Sequence, residues 1–191
     1  QKNISALISK DFGDLDKYLK ELIIQLIAFH SSEDLKLVFF VQKDKSKKWD
    51  YVKMLPHIWD VKKEFRFFAE SYDEMNEISK YLSEIINRRL QFQNKDYKSF
   101  SPYYLIITEY DKRIESLKII EEILASEVNV GFGLLCIMND LAQLPNECSA
   151  FIDIQENKGI MFESHIYSGS QKEFTFNTSL TVNNCTINLS G

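Results

Sequence analysis

Residues 6–29 read ALISKDFGDLDKYLKELIIQLIAF. A short apolar run, Ala6-Leu7-Ile8, stops at Ser9, and a polar loop carrying Gly13 follows. From Asp14 onward, Leu15, Leu19, Leu22, Ile23, Leu26 and Ile27 recur at the three-and-four spacing of an amphipathic helix. Strand, tight loop, helix is how a phosphate-binding loop begins, and the loop has the length for one. The side chains inside it decide whether it can still hold a phosphate.

The pattern continues downstream. LKLVFFVQ (35–42) is a continuous apolar run, the mark of a strand buried on both faces. KKWDYVKMLPHIWD (47–60) predicts a short helix ended near Pro56, and FRFFA (65–69) a short strand. Ser71 and Glu74 form a capping-box pair ahead of a helix with Met75, Ile78, Leu82, Ile85 and Ile86 as its apolar stripe. YYLIITEY (103–110) and FGLLCIM (132–138) are further buried strands. Between them, KRIESLKIIEEILAS (112–126) predicts one helix with Ile114, Leu117, Ile120 and Leu124 inward. AFIDI (150–154) and GIMFES (159–164) read as a hairpin pair. Strands alternating with helices predict βαβ units and an α/β fold with a mostly parallel central sheet.

With 191 residues, 45% hydrophobic, and only six Gly and three Pro, the chain can bury one sizeable core and has little room for a linker. Residues 1–176 are expected to form that domain. The Thr- and Asn-rich tail, 177–191, is expected to be an edge strand or a connector toward a downstream domain. The chain opens at Gln1 rather than Met, as an excised piece of a longer protein would. No apolar run approaches the ~20 residues of a membrane-spanning helix, and no signal peptide is visible.

A net charge of −5 argues against nucleic acid as a partner, because phosphate neutralisation supplies most of that affinity. The one dense basic group, Lys43-Asp44-Lys45-Ser46-Lys47-Lys48, reads as a solvated loop. Cys136, Cys148 and Cys185, like His30, His57 and His165, are too dispersed for a zinc site, so no metal is expected.

Laid on the Walker A frame G-x-x-x-x-G-K-[ST], residues 9–16, SKDFGDLD, miss every required position. Ser9 stands at the first Gly, Asp14 at the second, Leu15 at the phosphate-binding Lys and Asp16 at the magnesium-binding Ser/Thr, with Gly13 displaced by one. Asp11, Asp14 and Asp16 put carboxylates where a helix N-terminus would receive an anion; as helix-start residues they cap free N–H groups instead. The Walker B frame gives a partial echo: Tyr104-Leu105-Ile106-Ile107 leads into Thr108, where an Asp would hold magnesium, and Glu109, where a Glu would polarise water. No catalytic residue and no nucleotide-binding residue is expected here. The enzyme alternative would use Glu109 with Lys10 or Lys17 to bind or slowly hydrolyse ATP.

IAFHSSEDLKLVFF (27–40), WDYVKMLPHIWD (49–60) and GFGLLCIMNDLAQLPNECSAFIDI (131–154) resemble the type VII secretion membrane ATPases EssC and EccC, within the FtsK/SpoIIIE group. The likeness runs from about Ile4 to Phe176, and its most specific parts are the His30-Ser31-Ser32 run and Leu55-Pro56-His57. It is nearest the domain that follows the transmembrane helices and precedes the ATPase modules. The resemblance implies a P-loop NTPase (RecA/FtsK-like) three-layer sandwich with a degenerate nucleotide site. It also implies a non-catalytic role, coupling the membrane part to downstream domains that use ATP and magnesium during export of small helical WXG-type proteins. The implied partners are other domains of the same ATPase, neighbouring subunits of a hexameric ring and other membrane components, at the cytoplasmic face of the cell membrane. Trp49, Tyr51, Trp59, Tyr103 and Tyr104 are candidate interface aromatics on that view. A DNA-translocase role would require a basic face, which the net charge disfavours.

Overall fold

Seven consecutive residues, Phe132–Met138, are buried, and a strand with no wet face needs cover on both sides. The computed structural model, which describes residues 3–91, 100–155, 158–163 and 172–175, supplies that cover as two helical layers. The strands are β1 (Ile4–Ile8), β2 (Leu35–Phe40), β3 (Phe68–Ala69), β4 (Tyr103–Glu109), β5 (Phe132–Met138), β6 (Ala150–Gln155), β7 (Lys158–Glu163) and β8 (Lys172–Thr175). They form one sheet in the order β3-β2-β4-β5-β1-β6-β7-β8. All pairings from β3 to β6 are parallel, while β7 and β8 extend the sheet antiparallel.

Alternation along each strand feeds both layers. Leu37, Phe39, Ile107, Leu135 and Ile137 pack under α1 (Phe12–Phe29) through Leu15, Leu19 and Ile23. Val38, Phe40, Ile106, Leu134 and Cys136 face α2 (Tyr72–Gln91) and α4 (Lys118–Ala125) through Ile78, Leu82, Ile86, Ile119 and Ile120. The result is the three-layer α/β sandwich expected from the sequence.

Several local features differ from the sequence reading. α1 begins at Phe12, because Asp11 caps it by accepting the Gly13 N–H at 2.7 Å. The predicted helix at 47–60 is a 3-10 helix over Lys43–Met54 followed by a second over Pro56–Ile58. Three residues per turn align Trp49 with Val52, and both are buried. The predicted single helix at 112–126 breaks into α3 (Lys112–Glu115) and α4. Leu117, fully buried, is extended at the break. Ser79 of α2 accepts the Ile119 N–H at 3.0 Å and satisfies one donor of the new helix start. β3 shrinks to two residues, and Arg66 only bridges Trp59. β8 pairs with β7, whereas the tail 177–191, His165 and Cys185 lie outside the described residues.

One arginine closes the end of the sheet opposite the strand termini discussed below. Arg89, in the last turn of α2, donates from Nη1 to the Val130 and Gly131 carbonyls at 2.9 and 3.2 Å, and from Nη2 to the Pro102 carbonyl at 2.7 Å. Its guanidinium lies 5.2 Å from the Phe100 ring and 5.3 Å from the Tyr104 and Phe132 rings. Gly131 has φ +83, and a Cβ there would collide with Arg89 and stand 2.6 Å from the Phe100 Cβ. Arg89→Lys keeps the charge but loses the planar fork, leaving carbonyls unpaired, and should cost about 2–3 kcal/mol in urea unfolding with an unchanged m-value.

The capping box forms: Glu74 Oε2 accepts the Glu70 and Ser71 N–H groups at 2.8 and 3.0 Å. The Glu70 N–H, first, and those of Ser71 hold the Glu74 carboxyl below the usual carboxylate range, against a smaller opposing effect of burial. A depressed folded pKa stabilises above the unfolded value and loses that contribution as pH falls through the folded one. Glu74→Gln should therefore lower the thermal midpoint at pH 7, with the difference shrinking as pH falls through the lowered folded pKa of the carboxyl; a difference that stays constant on acidification would refute the linkage.

Candidate functional site

The carboxyl ends of β2, β4, β5, β1 and β6 lie along one edge of the sheet, where ligands of open α/β folds bind. Each residue of the Walker A frame is placed there by β1 and α1. Ser9 is buried, with Oγ 3.0 Å from the Ile154 carbonyl and 2.8 Å from that of Asp11, and it accepts the Asp11 N–H at 3.1 Å. This ties the turn to β6. The connection is residues 9–11 only, shorter than the sequence reading supposed, because the Asp11 cap starts the helix early. Gly13 is already in the first helical turn, so no long loop of free amides is left to wrap a phosphate.

Leu15 sits at the lysine position and is 0% exposed, packed in the α1 face of the core. Asp14 pairs with Lys17 at 3.3 Å. Asp16, at the Ser/Thr position, receives the Lys48 ammonium at 3.1 Å. Across the edge, Thr108 is buried with Oγ1 3.3 Å from the Glu109 carbonyl. Glu109 is held by both oxygens: Oε2 by Lys45 Nζ at 2.6 Å and Oε1 by Lys48 Nζ at 3.5 Å. Lys48 thus joins the Walker A and Walker B echoes through one ammonium.

A cleft of about 740 Å³ opens beside this network, lined among others by Lys10, Asp11, Asp14, Asp140 and Asp153. Asp11 and Asp140 also cap helix starts, through the Gly13 and Ala142 N–H groups, so their charge is fixed in place. An anion here would meet four carboxylates and one lysine. The lysine position of the frame is inside the core, and Lys48 Nζ stands between Asp16 and Glu109. Among the described residues, no group of three or more His, Cys, Asp and Glu converges as a metal site.

The residues that sequence reasoning missed are Lys45, Lys48 and Lys53. They lie on the 43–54 helix, whose basic start was read as a solvated loop. Lys53 pairs with Glu70 at 2.6 Å and Asp50 at 3.0 Å, and the Glu70 hydrogen bond, then that of Asp50, raises its pKa. The signal was available as two interleaved i,i+3 series, Lys45-Lys48 and Trp49-Val52-Leu55. Of the alternative lysines, Lys10 lines the cleft and Lys17 belongs to Asp14. Trp49 and Tyr104 are core residues, while Tyr51, Trp59 and Tyr103 are half-buried and pack against the core. Cys136 and Cys148 are free buried thiols, both pushed up by burial.

The sequence and the fold find matches among known proteins. Over 148 residues the chain is 22% identical to the ESX secretion system protein EccC of Geobacillus thermodenitrificans, covering 77% of this chain. Over 143 residues it is 25% identical to the type VII secretion system protein EssC of Staphylococcus aureus, covering 72%. In structure it matches EssC (ATPases 2 and 3) from G. thermodenitrificans with TM-score 0.68 over 99% of this chain and 42% of the other, at 10% identity. In sequence and in fold the chain is similar to the EssC and EccC secretion ATPases. No family model matches it. It spans about 10% of the length of these EssC and EccC relatives. A Thermomonospora curvata EccC (ATPases 2 and 3), solved with a signal sequence peptide, has the same fold with TM-score 0.62 over 90% of this chain and 36% of that one, at 13% identity.

The Leu55-Pro56-His57 turn and the His30-Ser31-Ser32 run meet in space: His57 Nε2 lies 2.8 Å from the His30 carbonyl. His57 is buried, and this contact makes it a packing group rather than an exposed base. Among the described residues, no helix is long and apolar enough to cross a membrane. Leu15→Lys, which rebuilds the Walker lysine, should destabilise by about 3 kcal/mol or more by burying a charge in an apolar layer. It should bring no nucleotide-dependent thermal shift; a shift would show that the cleft can hold phosphate.

Proposed function

We propose that this chain is a nucleotide-fold module of a type VII secretion motor that does not itself hydrolyse nucleotide. Its role is to couple a membrane-embedded part to downstream ATPase domains during export of small helical proteins. The observation that carries the reading is Leu15, fully buried where the phosphate-binding lysine would stand, next to Asp14 of a cleft dominated by carboxylates. Phosphoryl transfer depends on cationic stabilisation of the γ-phosphate, and the local charge has the opposite sign. The likeness to EssC and EccC supports the secretion setting. In that setting the module sits at the cytoplasmic face of the membrane, within a hexameric ring, against neighbouring subunits and other domains of the same ATPase, with ATP and magnesium used by the downstream domains.

A second reading, weak nucleotide binding through Lys10, has one favouring observation: Lys10 lines the cleft. Thermal unfolding with magnesium ATP and with a non-hydrolysable analogue separates the two. A ligand at about 100 times its Kd adds roughly 2.7 kcal/mol, which in a domain of this size raises the midpoint by about 5–10 °C. The expected result is no shift at millimolar nucleotide. A saturable shift removed by Lys10→Ala would overturn the proposal in favour of the second reading.

A further inference from the structure

Two carboxylates from different elements, Asp16 of α1 and Glu109 at the end of β4, converge on one point, and Lys48 Nζ occupies it at 3.1 and 3.5 Å. Lys45 takes the remaining oxygen of Glu109 at 2.6 Å. All four side chains are at least half-buried: the lysines are 38% and 23% exposed, Asp16 32% and Glu109 13%. The helix carrying the lysines is not a loose lid. Its neighbouring face inserts Trp49 and Val52 into the core, with Trp49 against Phe39 at 5.2 Å between ring centroids and the Lys48 ammonium 5.4 Å from the Trp49 ring. The ammonium is therefore delivered by a fixed element and does not need to fold down onto the acids.

Two carboxylates sharing one cation is a common minimal protein contribution to a magnesium or manganese site. From this geometry we infer that Lys48 is a resident cation: its ammonium holds, permanently and within the chain, the position between Asp16 and Glu109 that an exchangeable divalent cation could otherwise take. This rests on the reading of the chain as a nucleotide fold that does not hydrolyse nucleotide, and it gives that reading a physical cause. An exchangeable cation makes the strand-end edge switchable, because the charge there depends on what is bound. A covalently attached cation makes it constant. α1, β4 and the 43–54 helix then behave as one unit whose arrangement does not depend on nucleotide or metal.

The test uses Mn²⁺ alone as the probe, with the loss of the free-ion electron paramagnetic resonance signal as the readout. The 191-residue wild-type chain should bind no Mn²⁺ up to 10 mM. Lys48→Ala should bind one Mn²⁺ with Kd on the order of 0.1–1 mM, and its thermal midpoint, lowered without metal, should rise again with saturating Mn²⁺. Lys48→Arg should behave as wild type, and Asp16→Asn combined with Lys48→Ala should lose the Mn²⁺. A folded Lys48→Ala chain, checked by far-ultraviolet circular dichroism, that gains no Mn²⁺ beyond what wild type binds would overturn the inference, and so would Mn²⁺ binding by wild type that Asp16→Asn removes. If Lys48→Ala does not fold, Lys48→Gln, which keeps most of the side-chain packing, takes its place with the same two outcomes. Failure here leaves the absence of magnesium-ATP binding by wild type untouched, so the two proposals fail separately.

Discussion

Everything in this molecule depends on a parallel sheet that water reaches on neither face over its central strands. β5 and the strands β4 and β2 must be covered twice, so α1 lies on one side and α2 with α4 on the other. Because β1 and β2 are separated by β5 and β4, the chain leaving β1 must cross two strands before it can re-enter the sheet, and the crossover hand is fixed by strand twist. That crossing sets where the next residues emerge. Residues 41–58 come out at the carboxyl edge on the α1 side and run back along the sheet, which brings a basic segment beside the first turn of α1 and the end of β4.

Magnitudes indicate which contact sets the position of that segment. Partly exposed ion pairs are each worth about 0–1 kcal/mol, whereas burying a side chain the size of Trp49 or Val52 is worth about 1.5–3 kcal/mol. The apolar face places the 43–54 helix, and Lys45 and Lys48 follow from its three-residue turn. The acids at the edge gain compensating charge at little additional cost in order. A 3-10 helix of twelve residues is uncommon because its hydrogen bonds are poorer than those of an α-helix. Here contacts on two faces compensate.

Much of the architecture was legible in the residues. The unbroken apolar runs of β2, β4 and β5, the 3.6-residue spacing of α1 and the capping box at Ser71 and Glu74 each carry a local signal that tertiary structure had no reason to override. The Walker positions, too, could be read one by one, and Leu15 at the lysine position is as apolar in its setting as in its identity. The missed features are tertiary in origin. The interruption at Leu117 leaves the Ile119 N–H to Ser79, forty residues before it, and no pattern within 112–126 encodes that partner. The alternating charges of 43–48 look like a wet loop until Asp16 and Glu109 are brought alongside. The length of the turn after β1 was misjudged because Asp11, counted among the acids that oppose phosphate, is the residue that ends the turn.

The outer limit of the sheet has a consequence of its own. β3, at one margin, contributes only Phe68 and Ala69, and the chain turns away on either side, into the Trp59–Arg66 bridge before it and α2 after it. A margin that short offers a neighbouring polypeptide almost no ladder to copy. Molecules crowded side by side on this flank would have to recognise one another through side chains and helix surfaces, not by merging sheets, so contacts made there could be released without unravelling either partner.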